Sequence, residues 1–232
     1  MRGVSAAEVP ARLCALCADL IPVTGASISL IANAATRRTL CASDRVARQL
    51  AEMQYTLGYG PCLQAFSAGV PVMAPDLGAD GHAWPMFAHH AVEFGVKAVF
   101  SFPLAIGAIS AGTLDLYRDA PGPLTETDIG VALFVADTTT LAVLRLYADR
   151  GDSERAAGAD EADEMDWIGG EADDDEVHQA TGMVMIQLGV SAEEALLRLR
   201  ARAFARGSTV SALARDVVER RTRFDEDTED SA

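Results

Sequence analysis

The sequence predicts an α+β domain built on an antiparallel sheet with flanking helices, then an acidic linker, then a small all-α bundle of three helices. Three observations lead there. Over residues 1–150 the apolar spacing alternates in the order helix, strands, helix, strands, helix, which places helices over an antiparallel sheet. Acidic residues then crowd residues 151–176, and helix starts and stops follow densely from Val177 to Phe224. A length of 232 residues fits one full-sized domain with a smaller module attached.

Each element has its own signal. From Ser5 to Leu20, Val9, Leu13, Leu16, Cys17 and Leu20 recur at three- and four-residue spacing, predicting an amphipathic helix with Pro10 in its first turns. GASISLIA and RTLCAS are apolar and β-branched, predicting two strands joined by a polar turn, Asn33 to Arg37. A second helix is expected over Asp44 to Met53, followed by a loop through LGYGPCLQAF with its glycines and Pro61. VPVMAP predicts a short strand and PMFAHHAVEFG a helix closed by Gly95. VKAVFSFPLAIGAISAGTLDLY predicts two strands turning at Gly107 and Ala108. Thr125 with Asp128 three residues on opens a long helix to about Arg150, on which Leu133, Ala136, Thr140 and Leu144 form the expected core stripe. Val131, Val135 and Val143 lie on its other faces, so the helix either packs on a second copy or is buried more deeply in its own domain.

Charge divides the chain further. Residues 1–150 carry 10 basic and 13 acidic side chains, while residues 151–176 carry Arg155 against twelve acids. Residues 177–224 carry eight arginines against Glu193, Glu194, Asp216 and Glu219, and residues 225–232 form an acidic tail. One basic module is thus bracketed by two acidic runs in a chain of formal net charge -15. So acidic a whole disfavours bulk attraction to nucleic acid or anionic membrane, and any such binding must be local. The 151–176 segment lacks periodicity and reads as a solvated flexible linker in which Trp167 and Ile168 are either a transient docking point or incidental.

Within the basic module, Val177, Met183, Val184 and Leu188 predict a first helix stopped by Gly189. Ser191 and Glu194 make a capping box for a second, with Ala195, Leu196, Leu199 and Ala203 as its core stripe. Gly207 ends it. Ser208 or Thr209 caps a third, whose buried face is Val210, Leu213, Ala214 and Val217. Arg198, Arg202 and Arg206 are spaced by four and form one row, with Arg200 on roughly the opposite side. That row reads either as a solvated helix face or as a phosphate-binding surface.

GYGPCLQAFSAGVPVMAPDL and WPMFAHHAVEFGVKAVFSFPL make residues 1–150 resemble a GAF domain of the kind found in bacterial signalling regulators. That resemblance implies a sensing or dimerising module, with a small-molecule ligand that varies between members. Residues 177–224 resemble the ANTAR domain, a three-helix RNA-binding module of transcription antiterminators. The residues that carry it are Ala180-Thr181-Gly182 with Met183, Val190-Ser191, Ala195, Leu199-Arg200, Ala203, Leu213-Ala214 and Val217-Val218. Thr181 departs from the lysine many members have there. The resemblance implies RNA contact by Gln179, Ala180, Thr181, Gly182, Arg198, Arg200, Arg202 and Arg206, the partner being RNA hairpins in nascent transcripts. Small Ala180 and Gly182 would admit a backbone or loop base, and the Thr181 hydroxyl would donate a hydrogen bond.

The expected function is therefore a cytoplasmic, homodimeric, signal-responsive RNA-binding regulator acting by antitermination, with the acidic flanks able to mask the arginines. The alternative is a dimeric GAF sensor whose bundle binds a protein; DNA binding through the last two helices ranks lower. A methionine sulfoxide reductase of GAF type ranks last, since Cys62 would have only Cys41 as a thiol partner. Cys14 and Cys17 form a C-x-x-C inside a helical pattern with no second pair, so reduced, packed thiols are expected. His82, His89 and His90 with Asp76 and Asp80 are expected to be surface groups, because adjacent helical histidines diverge by about 100°. No Walker loop, G-x-G-x-x-G, H-E-x-x-H or serine elbow occurs, so neither catalytic residues, metal nor cofactor is expected. No leader pattern opens the chain and the uncharged, apolar run Ala98 to Leu114 contains Pro103, Gly107 and Gly112, so no membrane association is expected.

Overall fold

The computed structural model describes residues 9–31, 37–107, 109–157 and 173–224. The first domain contains α1 (Val9–Leu20), β1 (Gly25–Ile31), β2 (Arg37–Ala42), α2 (Arg45–Leu57), α3 (Pro61–Ala68) and β3 (Val72–Ala74). It continues through α4 (Leu77–Asp80), α5 (Pro85–Glu93), β4 (Ala98–Ile106), β5 (Ile109–Arg118) and α6 (Glu126–Ala157). The bundle consists of α7 (Asp173–Leu188), α8 (Ala192–Ala205) and α9 (Val210–Val218).

The five strands form an antiparallel sheet in the order β2-β1-β5-β4-β3. Side-chain alternation sorts its two faces. Ile28, Leu30, Phe100, Phe102, Leu114 and Leu116 point toward α1 and α6 and make an apolar core with Cys17, Ala132 and Val135. The opposite face carries Ser29, Ser101, Thr113 and Asp115 beside Val99 and Tyr117, and lies beneath α2, α3 and α5. Helices therefore cover both faces.

Several boundaries differ from the sequence expectation. The segment expected to be a loop through Pro61 is α3, because Pro61 sits in the first helical turn, where its missing N–H would have no partner anyway. Arg37 belongs to β2 rather than to a polar turn, and residues 32–36 lie outside the described set. On α6 the buried stripe is Ala132, Val135, Ala136, Thr139, Thr140 and Val143: Ala136 and Thr140 lie inside as expected, whereas Leu133 is exposed and Val135 and Val143, expected on other faces, are buried. Threonine is tolerated in that stripe because Thr139 and Thr140 donate their hydroxyls to the carbonyls of Val135 and Ala136. The helix starts as expected: Thr125 N–H donates to Asp128 Oδ2 at 3.0 Å, and Asp128 N–H to Thr125 Oγ1 at 3.2 Å.

Helix also enters the acidic segment from both sides, to Ala157 and from Asp173, while residues 158–172, including Trp167 and Ile168, lie outside the described residues. The stretch Glu126–Arg145 is long and apolar enough, by length and composition, to cross a membrane. Its buried stripe nevertheless packs on the sheet core, the position of a domain helix.

The cysteines also depart from expectation. Cys14 and Cys41 are disulfide-bonded with Cα atoms 6.6 Å apart, tying α1 to β2. The low cysteine count and a C-x-x-C inside a helix predict reduced, packed thiols, whereas packing places Cys14 over the strand and leaves Cys17 a buried free thiol.

Candidate nucleic-acid interface

The bundle closes around Val177, Ala180, Val184, Ala195, Leu196, Leu199, Val210, Leu213 and Val217. Its turns are fixed locally. Ser191 Oγ accepts from Glu194 N–H and Thr209 Oγ1 from Ala212 N–H, capping α8 and α9. Gly189 and Gly207 take the left-handed conformation at the two helix ends.

With its core stripe fixed inward, α8 presents Arg198, Arg202 and Arg206 along an outer face. Arg198 pairs with Glu194 at 2.7 Å. Arg202 lies 4.6 Å from the Phe224 ring centroid and donates to the Arg223 carbonyl at 2.9 Å, while Arg206 reaches Thr222 Oγ1 at 3.4 Å. These contacts lay the segment after α9 along the row, adding Arg223 to the basic surface. Helical spacing could not have found it, because Arg220 turns the chain with φ 61° after the last helix ends.

Other expected site residues are placed differently. Ala180 is fully buried in the bundle core, so it cannot admit an RNA backbone. The Thr181 hydroxyl donates to the Val177 carbonyl at 2.7 Å, a bond internal to α7. Gln179 is exposed, and Gly182 is half-buried with open space where a side chain would project.

Arg200 leaves the arginine surface altogether. Its guanidinium lies 5.2 Å from the Tyr55 ring centroid on α2, and burial pulls its pKa below the ordinary value, the mark of a charge held away from water. It also runs past Gly58, the left-handed cap of α2, where a Cβ would come within 3.2 Å of Nη1. Next to it Val210 N–H donates to Thr56 Oγ1 at 3.0 Å in a buried bond, and the His90 and Phe204 rings meet edge-on at 6.0 Å. Arg38 and Asp175 approach to 3.7 Å. The bundle is thus docked on α2 and α5 of the sheet domain, and Tyr55 is part of the bundle's core. Of the acidic flank, Asp175 meets Arg38 and Glu176 meets Arg215 at 3.1 Å.

The interior of the sheet domain holds the remaining candidate chemistry. Arg37 is buried and donates to the Ala51 carbonyl at 2.8 Å and to Ser29 Oγ at 3.0 Å, with Asp115 at 4.0 Å. Ser101 and Thr113 donate to Asp115 at 2.5 Å and 3.1 Å. Burial raises the Asp115 pKa, with Arg37 and the two hydroxyls opposing it. Cys62 is buried beside this pair and its thiol is pushed up to about 12, mainly by burial, so it is a neutral thiol at physiological pH. Cys41, its one conceivable partner, is bonded to Cys14. His89 and His90 both approach Glu93, at 3.7 Å and 3.0 Å. Among the described residues no group of three or more His, Cys, Asp or Glu side chains could hold a metal.

A sheet domain with a buried polar interior, coupled to an arginine-bearing three-helix bundle, is the architecture of a modular regulator. Residues 9–143 match the GAF domain family and residues 172–218 match the ANTAR domain family; the chain belongs to the GAF-ANTAR proteins. No curated protein matches it. Among solved structures it is similar to a domain of a two-component sensor histidine kinase protein from Sinorhizobium meliloti 1021. That likeness has 22% identity and a TM-score of 0.51, covering 66% of this chain and 99% of that one. It is also similar to the third GAF domain of a Synechocystis sp. PCC6803 protein in its photoproduct state, with 13% identity and a TM-score of 0.50, covering 62% and 98%. These likenesses establish the fold of the first domain. Both matches are to regulatory domains.

Proposed function

We propose that the chain is a cytoplasmic, signal-responsive RNA-binding regulator that acts by transcription antitermination at hairpin-containing leader RNA. The observation that carries this reading is the outward row of Arg198, Arg202 and Arg206 on the ANTAR-matched bundle, extended by Arg223. Guanidinium groups suit phosphate oxygens and the faces of unstacked loop bases. The GAF domain supplies the signal input through a small-molecule ligand. It also dimerises, a reading supported by exposed Leu16 and Leu20 on α1 and Phe134 and Leu141 on α6. It is not an enzyme, a reading the buried, protonated Cys62 supports.

The test is binding of the full chain to a pool of structured leader RNAs across a salt series. Hairpin-selective, saturable binding should weaken in Arg198→Ala and Arg202→Ala, with a salt slope of about -0.7 per single-strand phosphate neutralised. Absence of selective binding would favour the second reading, a bundle that binds a protein partner, for which Ile186 and Leu197 on the bundle surface, 86% and 64% exposed, are the motivating groups.

A further inference from the structure

The seam between the sheet domain and the bundle encloses a cleft of about 320 Å³, lined by α2, by α5 and the residue that caps it, and by the α8–α9 turn. We propose that this cleft is a binding site for a small amphipathic molecule, neutral or cationic, with an aromatic body, and that its occupant clamps the bundle onto the sheet domain. The site is distinct from the polar interior of the GAF domain, which lies under α2 on the sheet side.

Four features argue for it. Its volume falls within the range of small-molecule sites. Met53, Leu57, Phe94 and Phe204 give it apolar walls, and Phe94 and Phe204 come from different domains, yet remain 38% and 40% exposed, leaving ring surface for an aromatic guest. Among the described lining residues Glu52 is the sole carboxylate and His90, which lies 3.0 Å from Glu93, the sole basic side chain, so the acidic balance disfavours an anionic guest and favours an ammonium. Ser208 adds a hydroxyl on the bundle side.

The fourth feature is position. Thr56, which accepts the buried hydrogen bond from Val210 N–H, also lines the cleft, and its neighbour Tyr55 carries Arg200. A molecule that touches both walls exists only in the docked arrangement. By linkage, a ligand at one hundred times its Kd would favour the docked over the undocked state about a hundredfold. Arg200 would then stay on Tyr55. The site itself stands independently of the RNA reading; only the consequence for RNA rests on it.

Saturation-transfer NMR on the full chain, titrated to about 10 mM with phenethylamine, neutral 2-phenylethanol and anionic phenylacetate, tests the site. The amine and the alcohol should bind saturably, the amine about tenfold tighter than phenylacetate. Phe94→Ala and Phe204→Ala, with folding checked by circular dichroism, should each abolish binding. Glu52→Gln, which keeps the shape of this half-buried side chain and both apolar walls, should reduce the amine to the affinity of the alcohol. No saturable binding of amine or alcohol, equal binding of phenylacetate, or binding untouched by all three substitutions would overturn the site. These readouts contain no RNA, so failure of the RNA reading does not disturb them. Saturating phenethylamine should slow hydrogen exchange of the Val210 N–H, bonded to Thr56 only in the docked state, in the wild type and not in Phe204→Ala, and exchange indifferent to the amine would overturn the clamp; hairpin RNA that needs Arg200 should then bind more weakly with the amine present.

Discussion

Arg37 shows how a single residue can be misread from its letter and neighbours. In ATRRT it looks like part of a polar turn, but β2 begins at this position and the pleat turns its side chain inward to Asp115. Removing one partner of a buried ion pair leaves the other charge uncompensated, so Arg37→Leu should cost about 3–5 kcal/mol in denaturant unfolding. Its deficit should depend on pH. Asp115 already has a raised pKa, and a raised carboxyl pKa means the folded state holds the proton more tightly than the unfolded state. Stability from this group therefore grows as pH falls through the raised value; Arg37 opposes the rise, so its loss pushes the Asp115 pKa higher still, and the variant's deficit should narrow as pH falls from the variant's value to the wild-type one. Cys62 offers a second residue-scale check. With its pKa at about 12 and its side chain buried, iodoacetamide at pH 8 should leave it unlabelled in the native protein and label it after unfolding, as mass spectrometry would read.

At the scale of elements, helices with their own caps were the most legible parts. Thr125 with Asp128 and Ser191 with Glu194 mark starts that the backbone follows, because the capping hydrogen bonds are local and need no tertiary partner. Thr209→Ala removes such a bond from α9 and should lower stability by about 1 kcal/mol. What sequence could not supply was phase and pairing across elements. On α6 the expected stripe shares Ala136 and Thr140 with the buried one but includes exposed Leu133 in place of Val135 and Val143, because a helix apolar on several sides does not say which side meets the sheet. The pairing of Cys14 with Cys41 likewise depends on how α1 crosses β2, over a sequence separation of 27. Reducing this bond, or Cys41→Ser, should lower unfolding free energy by about 3 kcal/mol through the entropy regained by the unfolded chain.

For the whole molecule, the two modules were legible one at a time and their contact was not. Nothing in the spacing of Arg200 says that it meets Tyr55, since a residue opposite a surface row can face solvent, its own bundle or another domain. Docking divides the arginines into an outward row and one residue held by the sheet domain, so an RNA that engages all of them competes with that domain for Arg200. Thr56→Val tests this competition, because it keeps the side-chain shape and alters neither α8 nor any arginine. It leaves Val210 N–H unsatisfied only in the docked state, a penalty of about 1–3 kcal/mol, so docking should weaken by roughly 5- to 150-fold. If undocking limits access to RNA, hairpin affinity should rise, by at most that factor, and the slope against log salt should steepen by about 0.7 as one more phosphate is neutralised. Thr56→Val combined with Arg200→Ala should keep part of the affinity gain and lose the added slope. Unchanged affinity and slope in Thr56→Val, measured by titration of the folded full chain, would mean that RNA uses the outward row alone and is indifferent to where Arg200 rests.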